Sequence, residues 1–66
     1  MDVKSLIGLT ERRACQTLDE AEEKIVYRIE RWVDGHQVSA EANMSYDENR
    51  VNLKVENGIV FEVTMG

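Results

Sequence analysis

The sequence predicts an α+β domain in which one helix packs on a small β-sheet that ends in a C-terminal hairpin. Three observations carry this. A capped stretch near the N-terminus shows helical spacing of small apolar residues. The middle and the C-terminal third alternate apolar and polar residues with period two. A single turn signal, Asn57-Gly58, divides the last alternating run.

Residues 3–9 (VKSLIGL) form an apolar entry segment. Thr10 is suited to cap a helix, with Glu11 near the positive end of the helix dipole. Ala14, Leu18 and Ala21 follow at i, i+4 and i+7, one narrow apolar stripe, which predicts a helix over 10–23. Residues 24–33 (KIVYRIERWV) place Ile25, Tyr27, Ile29 and Val33 on one face of a strand and Arg28, Glu30 and Trp32 on the other. In 50–56, Val51, Leu53 and Val55 alternate with Arg50, Asn52, Lys54 and Glu56. In 59–65, Ile59, Phe61, Val63 and Met65 share a face. A two-residue loop at Asn57-Gly58 would pair Val55 with Val60 and set the apolar face of one strand beside Glu62 and Thr64. A three-residue turn, Glu56-Asn57-Gly58, pairs Val55 with Ile59 and Leu53 with Phe61, so parity favours that turn, with Gly58 at positive φ.

The segment 34–49 (DGHQVSAEANMSYDEN) admits two readings. In one, Asp34-Gly35 is a two-residue turn pairing Val33 with His36. Ala40 then lies opposite Ile29 and Ala42 opposite Tyr27, and the fold is a helix on a four-stranded antiparallel meander. In the other, the segment is an exposed loop between two strands that pair in parallel, a pairing that needs a crossover of about a dozen residues or more. Long loops in compact domains are usually functional. The conformation of 37–46 separates the two readings: a paired strand rules out the loop, and an unpaired projecting loop supports it.

Sixty-six residues make a single domain, 1–66. Such a domain buries only about 60% of its unfolded surface, so a core and a deep substrate pocket do not both fit. Thirteen acidic residues against eight basic ones give a net charge of −5. This argues against nucleic acid and anionic membranes and for a protein partner. With one cysteine, Cys15, no internal disulfide can form. The chain shows no signal-peptide run, so the expected location is the cytoplasm, or outside the cell if a leader was removed.

No catalytic site, metal site or cofactor is expected. His36 is a lone histidine beside a turn, read as solvated. Cys15 reads as a structural thiol on the helix, and the two together are too few for zinc. The run Asp19, Glu20, Glu22, Glu23 lacks the glycine and ligand spacing of a calcium loop and reads as a solvated face. Trp32 lies among charged neighbours, either over a second small core or as an exposed binding anchor.

The run NMSYDENRVNLKVENGIVFEVTMG resembles the C-terminal part of potato-inhibitor-I-like serine protease inhibitors, nearest to their bacterial and fungal members. The shared pattern is Met44, Tyr46, Arg50, Val51 and Leu53, then Asn57-Gly58 and Gly66. Leu6-Ile7-Gly8 before the capped helix matches their opening. The resemblance implies a substrate-like reactive loop of Asn43, Met44, Ser45 and Tyr46, with Met44 in the protease's specificity pocket and Met44-Ser45 as the scissile bond. It implies bracing by Arg50, Asn52 and Gly66, including an Arg50 bond to the terminal carboxylate. Asn43 stands where the family usually has Thr, and Asn52 where many plant members have a second Arg. The other functional expectation is a small acidic cytoplasmic interaction or regulatory protein of phage-like type that binds a host protein by its sheet face or edge, with no protease inhibition and with homodimerisation open.

Overall fold

The structure is a computed structural model that describes residues 2–21, 25–42 and 50–65. It contains a short 3₁₀ turn (Val3–Leu6), helix α1 (Glu11–Asp19) and four strands: β1 (Tyr27–Val33), β2 (His36–Ala42), β3 (Val51–Glu56) and β4 (Ile59–Met65). The strands form one mixed sheet in the order β2-β1-β3-β4. The α+β class and the C-terminal hairpin are as expected. Among the described residues no helix is long and apolar enough to cross a membrane.

Thr10 caps α1 as its side chain predicts, its hydroxyl accepting from Arg13 N–H at 3.1 Å. Ala14 and Leu18 are the buried stripe. The helix stops at Asp19, short of the predicted residue 23. Asp19 and Glu20 place carboxylates at the negative end of the helix dipole, and no basic residue occupies the last turn, so extension is disfavoured.

The sheet takes one part from each reading of the middle segment, the Asp34-Gly35 turn from the first and the parallel pair from the second. Asp34-Gly35 does form a two-residue turn that pairs Val33 with His36, with positive φ at both positions. There is no antiparallel meander, however. Among the described residues β2 pairs with β1 alone, and β1 pairs with β3 in parallel, Tyr27 to Val51 through Trp32 to Glu56. Of the segment 37–46, residues 37–42 are a paired strand and 43–46 lie outside the described residues. The register of β1 with β2 also differs from expectation. A bulge inserts Val38, because Trp32 pairs with Gln37 while Arg31 pairs with Ser39. Glu41, not Ala40, then faces Ile29, and Ala40 faces Glu30.

A second bulge corrects the hairpin. The turn is two residues, Asn57-Gly58, with φ of 53° and 77°, and Glu56 pairs with Ile59. That is the primed turn preferred by two-residue hairpins. Positive φ at Gly58 was expected; the three-residue register was not correct. Val55 pairs with Val60, and the extra residue Phe61 then resets parity so that Leu53 faces Val63 and Val51 faces Met65. Val60 and Val63 therefore enter the core with Leu6, Ala14, Leu18, Ile29, Val51, Leu53 and Val55. Ile59, Phe61 and Met65 are exposed, contrary to the shared buried face read from their spacing.

The outer edge of β4 is covered by the chain that leads into α1. Gly8 N–H donates to Val60 O (2.8 Å), Val60 N–H to Leu9 O (2.9 Å) and Glu11 N–H to Gly58 O (2.8 Å). Lys4 Nζ donates to Val63 O at 2.6 Å. The entry segment thus supplies Leu6 to the core and closes one edge of the sheet.

Candidate protein-binding surfaces

Parallel pairing of β1 and β3 determines where the connection 43–49 begins and ends. Ala42 lies across from Arg28 and Val51 across from Tyr27, and Val51 N–H donates to Val26 O at 2.9 Å. Both ends therefore stand at the same end of the sheet, separated laterally by β1. Two strand spacings plus the stagger amount to about 12 Å. Eight Cα steps from Ala42 to Arg50 can reach about 26 Å. The connection has roughly twice the length that the crossing requires.

Arg50 and Asn52, the expected loop supports, are brought together beside this connection. Arg50 Nε donates to Asn52 Oδ1 at 3.2 Å, and Asn52 is buried. A buried amide held in this way keeps the guanidinium at the start of β3, where the connection arrives. Asn43, Met44, Ser45, Tyr46 and Gly66 lie outside the described residues, and so does the expected bond from Arg50 to the terminal carboxylate.

Trp32 sits on the sheet face turned away from α1. Its ring meets Phe61 edge-on, with centroids 6.3 Å apart at 89°, and Lys54 Nζ lies 5.2 Å from its centroid. Lys54 also pairs with Glu62 at 2.6 Å, and Arg28 with Glu30 at 3.0 Å. Trp32 is half-buried, and its Nε1 is buried with no partner among the described residues. The tryptophan is thus the floor of a small satellite cluster. The exposed apolar surface beside it belongs to Phe61 (46% exposed) and Ile59 (39%). Parity assigned Phe61 to the core; the bulge moved it to this face.

On the helix side, Arg31 makes two 2.9 Å bonds to Glu11 and reaches Glu41 at 3.3 Å. The hydrogen bonds from Arg31 hold the Glu11 carboxyl below its usual range, and Glu11 and then Glu41 raise the guanidinium in turn. This clamp ties α1 to β1 and β2. It was not foreseen, although an arginine between Ile29 and Val33 on the apolar face of a strand was the signal for it.

Burial, with the nearby Glu11 and Asp19 carboxylates, pushes the half-buried Cys15 thiol up, so it is a poor nucleophile at neutral pH. Tyr27 donates to Asp19 at 3.2 Å, and burial is the main cause that raises its phenol to about 12. His36 stands exposed at the β1–β2 turn. Among the described residues no three His, Cys, Asp or Glu side chains group closely enough to hold a metal ion. Asp19 and Glu20 are exposed, while Glu22 and Glu23 lie outside the described residues. Comparison with family models, curated proteins and solved structures gives no match.

Proposed function

We propose that the chain is a protein-binding domain of the serine-protease-inhibitor type, acting through the connection that joins β2 to β3. The observation that supports this reading is the parallel β1–β3 pair. It makes the intervening chain a crossover with surplus length, delivered to one end of the sheet beside Arg50 and Asn52. Residues 37–42 are a paired strand and carry no inhibitory loop; the substrate-like segment of this reading is Asn43, Met44, Ser45 and Tyr46, with Met44-Ser45 as the bond presented to the protease. Inhibition by such a segment depends on its being held in the bound shape before docking, which reduces the entropy lost on association.

The test is inhibition of a subtilisin-type and a chymotrypsin-type protease by the wild-type chain and by Met44→Gly. Inhibition by the wild type that is lost in Met44→Gly supports the reading. Lack of inhibition of either enzyme, or rapid cleavage at Met44-Ser45, overturns it.

The exposed Phe61 and Ile59 beside Trp32 favour a second reading, a cytoplasmic interaction module that binds a host protein through its open sheet face. The two readings separate by mutation. Phe61→Ser abolishes binding in the second and leaves protease inhibition unchanged in the first.

A further inference from the structure

The two edges of the sheet are finished differently. Residues 8–11 and Lys4 cover the outer side of β4. The outer side of β2 has no strand partner among the described residues, and all seven β2 positions are exposed. Monomeric proteins usually blunt such an edge with Lys, Pro, a β-bulge or inward-pointing charge, since its unpaired N–H and C=O groups are a template for another strand. β2 (HQVSAEA) has no Lys, Arg or Pro. Its one carboxylate, Glu41, is engaged by Arg31. The bulge at Val38 stands near the turn, and beyond it Ser39–Ala42 pair regularly with Arg28–Arg31.

We infer that β2 is a self-association edge, where a second copy of this chain adds antiparallel about a two-fold axis at Ala40. A two-fold antiparallel pair must be self-complementary. With Ala40 facing Ala40 of the second copy, Val38 faces Ala42 and Ser39 faces Glu41. No like charges are opposed, a hydroxyl meets a carboxylate, and the central contacts are small and apolar. In a chain of net charge −5, β2 is the stretch that offers a second copy an almost uncharged edge. The product is one continuous eight-stranded sheet, twice the four strands of a single copy. Five paired residues bury less than the roughly 1,200 Å² of a stable complex, so the dimer is weak and reversible. Net negative charge opposes it, so added salt strengthens it.

Sedimentation equilibrium on the full chain tests this, from about 10 μM to about 1 mM, at low and high salt. The wild type is expected to show a monomer–dimer equilibrium that tightens with salt. Ala40→Lys sets two ammonium groups face to face and weakens it about fivefold. An equimolar mixture of Ala40→Lys with Ala40→Glu restores a heterodimer. Thermal melts check that each variant folds. Because Glu30 lies across from Ala40, the Glu variant is the one at risk of unfolding. If it does unfold, Ala40→Cys in a Cys15→Ser background replaces it, and oxidation must link two copies through their self-facing position 40. A wild type that stays monomeric to about 1 mM, or an Ala40→Lys variant that dimerises like the wild type, overturns the inference. So does a dimer abolished by Phe61→Ser but not by Ala40→Lys, or failure of the mixture or cross-link in folded variants.

Discussion

Substituting the two turn residues between β3 and β4 discriminates the observed register from the one that parity predicts. Asn57 and Gly58 both have positive φ, 53° and 77°. A Cβ built on Gly58 meets nothing within 4 Å, so the cost of Gly58→Ala is torsional rather than steric. Holding an L-residue in the left-handed region costs about 1–2 kcal/mol. The lower entropy of the unfolded Ala chain offsets about 0.4–1 kcal/mol. The net loss is about 1 kcal/mol, or about 4–8 °C in Tm for a domain this small. Gly58 O also accepts the first N–H of α1, from Glu11 at 2.8 Å, so distortion of the turn spreads to the helix start. Asn57→Ala should cost about 0.5–1 kcal/mol, because Asn tolerates this region better than Ala. Urea and thermal unfolding, followed by far-UV circular dichroism, measure both. In the three-residue turn with a single left-handed glycine, only Gly58 would be sensitive. An Asn57→Ala variant as stable as the wild type would therefore refute the two-residue turn, and a neutral or stabilising Gly58→Ala would refute the backbone argument.

Three further outcomes follow from the same structure. Leu53 is fully buried at the centre of the sheet, so Leu53→Ala should cost about 2–5 kcal/mol. That approaches the whole stability of a 66-residue chain, about 3–10 kcal/mol, and the variant should be largely unfolded by circular dichroism at 25 °C. Arg31 depresses the Glu11 carboxyl below its ordinary 4.5. Its contribution is thus complete above that value and is lost as pH falls through the lower folded value; urea midpoints of Glu11→Gln should fall less steeply over that acid range than those of the wild type. Because the Cys15 thiol is raised above its ordinary 9.0, iodoacetamide at pH 8 should label the native chain more slowly than the urea-unfolded chain, and equal rates would contradict its burial.

Local signals in the sequence were read correctly where the physics is local. Thr10 caps a helix because its hydroxyl reaches an N–H three residues on. Asp34-Gly35 turns as one of the two readings of 34–49 had it, and Gly58 takes the expected positive φ, although the turn is two residues and not three. Ala14 and Leu18 face the core because helical spacing aligns them. The candidate site was legible only in part. Arg50 bonds Asn52, a pairing the sequence did not point to, and Trp32 is half-covered by Phe61 and Lys54. The Arg31 clamp on Glu11 and Glu41 was missed, because it joins residues far apart in the chain.

The sequence by itself determined the helix start, a turn at Asn57-Gly58 with Gly58 at positive φ, the alternating strands and an α+β domain whose apolar residues suffice for one thin core. Only the tertiary structure decided that β1 takes β3 as a parallel neighbour, that β2 is the end strand among the described residues, and which of Val60 and Phe61 is buried. The reason is the bulge. Strand parity assumes an unbroken ladder, and one inserted residue at Val38 or Phe61 reverses every facing beyond it. A two-residue turn followed by a bulge and a three-residue turn without one bury the same Val63. Packing of Val60 and Val63 against Leu6 and α1, which parity does not contain, selected between them.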